Sequence, residues 1–208
     1  SISGACGNGT RCVAFLIFKE TDKKVVDLFV GSNHLKSEIL KNSEVETIIG
    51  VPKTHWKDIP ISENLDTKNL GIEISDKNNS SSKGGIAVNV GNPHVIFFVD
   101  NIDNFDLEKI GPMVENNNLF PEKCNFTLAK KIGNNHYKVK VWERGAGLTK
   151  ACGTAACATA VAANLEKLEN SSTEIEFVLG KLTINIAQDK KIHMRGPVSE
   201  IKEIKINI

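Results

Sequence analysis

Two short stretches carry residues whose types and spacing are able to do chemistry. Ala5-Cys6-Gly7-Asn8-Gly9-Thr10-Arg11-Cys12 runs into apolar residues 13–18. Ala151-Cys152-Gly153-Thr154-Ala155-Ala156-Cys157 runs into an alanine-rich segment that reaches about residue 168. Each reads as a glycine turn that opens a helix. A cysteine just before a helix N-terminus meets free N–H groups and the positive end of the helix dipole, which favour a thiolate and lower its pKa. Gly7 and Gly153 let backbone approach a ligand closely, and the same N–H groups bind carboxylates. Two such sites facing each other across a cleft would hold one α-carboxylate, with a sulfur above and below the adjacent carbon. One thiolate would remove the α-proton and the opposite thiol would deliver another. That inverts the stereocentre without a cofactor. The α-proton of an amino acid is very weakly acidic, so such a site must stabilise the carbanion electrostatically and exclude water.

Other residues are weighed against blander roles. Glu143-Arg144-Gly145 lies just before the second cysteine turn. A charged pair at a strand end is by default a solvated salt bridge. Near a thiol, the Arg is able to take a carboxylate in a bidentate way. The Glu is able to take a substrate ammonium or to shift a thiol's pKa. His94 closes a Gly91-Asn92-Pro93-His94 turn, where a satisfied turn histidine is the default; His34, His55, His136 and His193 read as surface residues. Cys12, Cys124 and Cys157 read as small buried fillers. Cys6 and Cys12 have the wrong spacing for a zinc half-site and no paired His–Cys set follows, so no metal is expected. No Cys-x-x-Cys redox pair is present.

Both glycine-led helices lack a clear polar face in their first turns and should be buried, each wrapped by strands. Strand signals cover residues 25–30, 86–90 and 95–99, and an alternation of Tyr137, Val139 and Val141 with Lys138 and Lys140. Residues 175–179 and 182–187 read as a hairpin joined through Gly180-Lys181. Residues 106–114 predict an amphipathic helix despite Pro112, and residues 78–85 an exposed loop. The repeated Ala-Cys-Gly points to two related halves. We expect an α+β fold of two pseudo-symmetric lobes, each a curved, mostly antiparallel sheet around a central buried helix, with the active site in the cleft between them. The boundary is expected near Gly50-Val51-Pro52, leaving residues 1–50 as the remainder of an N-terminal lobe and 51–195 as a C-terminal lobe.

Composition narrows the class. With 208 residues, 40% of them hydrophobic, the chain buries a substantial core. A net charge of +1 gives no bulk attraction to nucleic acid or membrane surfaces, and residues 12–18 are too short an apolar run to span a bilayer. Five cysteines, an odd number, fit free thiols in a reducing cytosol, so a cytoplasmic location is expected. A helix opened by Gly7 needs strands to cover it, and few residues precede it. We therefore expect further chain ahead of Ser1.

Taken together, the motifs resemble the diaminopimelate epimerase family. The family's Cys-Gly-Asn-Gly-x-Arg-Cys stands at residues 6–12, its Gly-Asn-Pro-His at 91–94 and its strand asparagine at Asn125. Its Glu-Arg-Gly-x-Gly-x-Thr-x-Ala-Cys-Gly-Thr stands at 143–154, and Gly196-Pro197 also fits, with residues 196–208 expected to return to the N-terminal lobe. The resemblance implies that Cys6 and Cys152 are the acid/base thiols. It implies that Gly7, Asn8, Gly153 and Thr154 hold the reacting α-carboxylate, and that Asn92, Asn125 and Arg144 bind the distal amino-acid group. Glu143 and His94 would tune the thiols or contact the reacting end. It further implies interconversion of LL- and meso-diaminopimelate in lysine and peptidoglycan synthesis, without pyridoxal phosphate or metal; the sequence does not fix the oligomeric state, and a homodimer is compatible with it. Ala5 and Ala155 depart from the family's usual residues, and the family's N-terminal Asn and Gln binding positions have no counterpart here. Rival readings are a proline-racemase-like enzyme, which usually shows Cys-Gly-His-Gly, a thiol hydrolase, and an inactive truncated fragment.

Overall fold

The computed structural model describes residues 7–31, 33–166 and 172–200. Cys6 and residues 201–208 lie outside them. Helix α1 (Gly7–Thr21) is followed by strands β1 (Val25–Val30), β2 (Asn33–Ile39) and β3 (Glu44–Gly50). Strands β4 (Ile72–Ser75), β5 (Ser81–Gly84), β6 (Ile86–Asn89) and β7 (Pro93–Phe98) lead to helix α2 (Leu107–Glu115). Strands β8 (Asn125–Gly133), β9 (His136–Glu143) and β10 (Gly147–Thr149) precede helix α3 (Gly153–Leu165). Strands β11 (Thr173–Phe177), β12 (Gly180–Ile186) and β13 (Ile192–Pro197) complete the described chain.

One sheet runs β1-β2-β3-β13-β12-β11-β9-β8-β7-β6, with β10 beside β9. Its pairs are antiparallel except β7 with β8 and β9 with β11. The α+β class and the mostly antiparallel sheet agree with the sequence. The joint between the two helical centres is β3 with β13, where Gly196 faces Val45 and Pro197 faces Glu44. Helix α1 packs on β1–β3, while α3 packs on β6–β8 and β11–β13.

Helix α3 is buried along residues 153–163 because it is apolar all round. Its alanines favour the helix and bring the surrounding strands close. Thr159 fits this apolar setting by returning its hydroxyl to the Ala155 carbonyl at 2.8 Å. Strand β7 reads as a continuous apolar run because both of its faces are covered, and residues 125–129 of β8 are likewise buried on both faces. Ile96 and Ala129 join the core around α3. Val95, Phe97, Phe126 and Leu128 join a second core with Ile110 and Val114 of α2. Asp106 caps α2, its carboxylate accepting from the Glu108 and Lys109 N–H groups.

Three local expectations are corrected. The β11–β12 turn is Val178-Leu179 rather than Gly180-Lys181; Gly180 pairs with Phe177 and already belongs to the strand. Residues 81–84 form β5 against β4, backbone hydrogen bonding carrying a serine-rich stretch that composition marks as loop. Among the described residues, helix α1 is covered on one face: Ala14 and Phe15 are buried, whereas Cys12 is exposed and Val13 is 46% exposed. Among the described residues nothing buries Cys12, so the reading of it as a buried filler is not met. Among the described residues, no helix is long and apolar enough to cross a membrane.

Candidate active site

The fold brings the two helix starts together. Cys152 is the N-cap of α3 in extended conformation, φ −143° and ψ 115°. Helix α1 begins at Gly7, directly after Cys6. A Cβ built on Gly7 would lie 3.7 Å from the Gly153 Cα and 2.6 Å from the Met194 Cε. A Cβ on Gly153 would lie 3.1 Å from the Met194 Sδ, 3.2 Å from the Asn8 Oδ1 and 3.4 Å from the Asn8 nitrogen. The two helix starts lie close enough that a side chain at either glycine would press on its neighbours, on Met194 at Gly7 and on Asn8 and Met194 at Gly153. Met194, on the strand that joins the two helical centres, packs beside both glycines.

Arg11, one turn into α1 and 6% exposed, donates from Nη2 to the Asn8 Oδ1 at 3.1 Å and from Nη1 to the Met194 Sδ at 3.5 Å. It orients the Asn8 amide. Sequence reasoning overlooked Arg11 and Met194. Arg11 was legible in principle, since positions i and i+3 share a helix face. Met194 was not, because only the sheet register brings it here.

The electrostatics of Cys152 differ from the expectation. Its thiol is pushed up to about 12, first by burial and then by the Glu143 carboxylate. The Thr154 hydroxyl, 3.4 Å from the sulfur, and the Ala155 N–H work in the opposite direction. A helix terminus contributes about 1 kcal/mol, whereas full burial shifts a titratable group by several units. Burial wins, and Cys152 is a neutral thiol at neutral pH.

A second cluster forms at the same edge of the sheet. Strands β7 and β8 run parallel with His94 facing Asn125, and β9 returns beside β8 to end at Glu143. The His94 Nε2 is 2.9 Å from the Asn92 Oδ1. The Asn125 Nδ2 donates to the Pro93 carbonyl at 2.9 Å and lies 3.5 Å from the His94 Nε2. The Asn125 Oδ1 accepts from the Arg144 N–H at 3.0 Å, and the Arg144 Nη1 donates to the Glu122 carbonyl at 2.6 Å. Burial, helped by the Arg144 charge, pulls His94 down to about 3, so its ring is neutral. Its buried Nδ1 has no hydrogen-bond partner among the described residues. Asn92, His94, Asn125 and Arg144 therefore form one connected network. Glu143, adjacent to Arg144 and electrostatically coupled to Cys152, links that network to the helix starts.

Comparison with known proteins bears on what this arrangement belongs to. The family model described as diaminopimelate epimerase matches residues 86–201, the span holding every candidate from Asn92 to Thr154. The diaminopimelate epimerase of Pelagibacter ubique (strain HTCC1062) is 65% identical over 208 residues, covering 100% of this chain and 76% of the relative. That of Acidiphilium cryptum (strain JF-5) is 40% identical over 203 residues, covering 98% and 72%. Solved structures share the fold at low identity. A phenazine biosynthesis protein of the PhzF family from Bacillus anthracis gives a TM-score of 0.65 at 15% identity, covering 99% of this chain and 77% of that one. A probable proline racemase from Agrobacterium radiobacter K84 gives 0.69 at 9% identity, covering 98% and 68%. The structural likenesses establish the fold alone, whereas identity across the whole chain settles the relationship: the chain belongs to the diaminopimelate epimerase family of isomerases.

Proposed function

We propose that this chain interconverts LL- and meso-2,6-diaminopimelate by cofactor-independent proton transfer between two cysteines, Cys6 and Cys152, on opposite faces of the α-carbon. The observation that carries the reading is the contact of Gly7 with Gly153, since each glycine directly follows one of the cysteines. The N–H groups at the two helix starts, with Asn8 and Thr154, receive the reacting α-carboxylate. Asn92, Asn125 and Arg144 serve the distal amino-acid group.

The thiolate of one cysteine takes the α-proton and becomes S–H, leaving an electron pair delocalised onto the carboxylate. The thiol of the other gives its proton to the opposite face and becomes the thiolate. Burial and Glu143 keep Cys152 protonated, which supports Cys152 as the acid when Cys6 is the base. The reverse reaction exchanges the roles. The reading places the enzyme in lysine and peptidoglycan biosynthesis, in the cytoplasm, as a homodimer.

Deuterium incorporation tests it directly. Incubated with LL-diaminopimelate in D2O, the protein should yield the meso isomer carrying deuterium at the inverted carbon. Absence of both inversion and exchange would rule out the reading. A second expectation follows from the glycine contact. Gly153→Ala forces Asn8 and Met194 away by a few tenths of an ångström, and kcat/KM should fall on the order of 10²-fold, because small misplacements of reacting groups are costly. Steady-state kinetics check this, and an unchanged kcat/KM contradicts it.

A further inference from the structure

The Glu143-Arg144-Gly145 turn is held from three sides. The Ala146 N–H closes it on the Glu143 carbonyl at 3.0 Å, and Asn125 takes the Arg144 N–H. The third holder is Glu115, at the end of α2 and 7% exposed. Its Oε1 accepts from the Gly145 N–H at 3.1 Å and its Oε2 from the Trp142 Nε1 at 2.7 Å. Lys123 stands 4.0 Å from the Oε1. The Trp142 ring packs against Gly111 of α2, where any Cβ would run into it. A carboxylate suits this place because both facing groups are donors, and an ionised carboxyl offers only acceptors. A buried carboxylate must also be satisfied by hydrogen bonds, and these two satisfy it.

We infer that Glu115 is a positioning residue: by accepting from Trp142 and Gly145 together it fixes the turn that presents Arg144 to the substrate and Glu143 to Cys152. It touches no reacting atom in this scheme. The inference rests on the reading of Arg144 and Glu143 as parts of the substrate pocket.

Glu115→Gln is nearly isosteric, yet its single amide oxygen accepts from one donor while its NH2 group is forced against the other. KM for diaminopimelate should rise about tenfold or more, since an unmatched buried charged hydrogen bond is costly. KM does not depend on the folded fraction, so a purely structural Glu115 would lower the melting temperature and leave KM alone. Trp142→Phe removes one donor. In that background the glutamine oxygen has only the Gly145 N–H to accept, and the penalty of Glu115→Gln should shrink to less than about threefold, which is the coupling a double-mutant cycle reads. If Glu115→Gln alone fails to fold, the double variant carries the test by itself: its KM should lie within about threefold of Trp142→Phe, and a larger rise overturns the inference. An unchanged KM in Glu115→Gln, or the same penalty in both backgrounds, overturns the inference. Hydrogen exchange at the Gly145 amide keeps the two ideas separable. Faster exchange in Glu115→Gln supports the hold on the turn even where wild-type protein shows no epimerisation, an outcome that overturns the function instead.

Discussion

Cys152→Ser should lower the rate of inversion at the α-carbon by on the order of 10³-fold or more, with the fold retained. The side chain is almost fully buried at the α3 N-cap, and an oxygen of similar size fits there. Thr154 remains beside it as a hydrogen-bond partner. What changes is the acid. A serine hydroxyl gives up its proton far less readily than a thiol, and the alkoxide left behind would be buried beside the Glu143 carboxylate. The two-base scheme also separates two readouts. Removing the α-proton needs only the base on one face, so slow exchange with retention should persist for the isomer whose proton Cys6 takes. Inversion needs both groups and should be lost for both isomers. Following α-proton exchange by NMR alongside chiral separation of the products distinguishes the two. A serine variant that still inverts within about tenfold of wild type would show that Cys152 is not the acid.

The residues of this site were legible because motifs state chemistry locally, whereas their arrangement was not. Cys152 at a helix start, the glycine after it, and the Glu143-Arg144 pair are all visible as types at short spacing. Of the strands around α3, β6, β7, β11 and β12 were legible from apolar or alternating character, whereas β8 and β13 mix polar residues into buried strands and were not. Three things needed tertiary structure. The protonation state of Cys152 depends on how deeply the helix start is buried and on Glu143, neither of which a sequence position reports. The Val178-Leu179 turn was misplaced because Gly180 attracts a turn assignment even where it pairs in a strand. Glu115 and Met194 were missed because they reach the site from α2 and β13 through packing, and neither has a partner nearby in the chain. Asn125 lies between these cases. Its identity was legible, but its bonds to Pro93 and to the Arg144 N–H reveal that it also ties the β7 start to the Glu143-Arg144 turn.

The protein should be far more labile to alkali than to mild acid. Cys124, Cys152 and Cys157 are each pushed from 9.0 up to about 12, with burial the leading cause in all three. Glu115 adds to the effect at Cys124, Glu143 at Cys152, and Cys152 itself at Cys157. In the unfolded chain these thiols ionise near their ordinary value, so between pH 9 and 12 the unfolded state binds fewer protons than the folded one. Stability contributed by the protonated thiols is complete below pH 9 and is lost as pH rises toward 12. Each group contributes about 1.4 kcal/mol per pH unit, so three give roughly 4 kcal/mol per unit. By about pH 10.5 the loss reaches on the order of 6 kcal/mol, comparable with the whole stability of a typical domain. The acid side has a shallower counterpart. His94 is held down near 3, so the unfolded state takes up a proton below about pH 6.5 that the folded state refuses; the exposed carboxylates Asp103, Glu174 and Asp189, held down by hydrogen bonds to lysines, add their share only at lower pH, in the carboxylate range. Urea unfolding from pH 7 to 10.5 measures the alkaline limb. Cys157→Ala, a small change inside an alanine-rich helix, should reduce its slope by about one third. An alkaline slope that is flat, or that Cys157→Ala leaves unchanged, contradicts this assignment of the loss to the buried thiols.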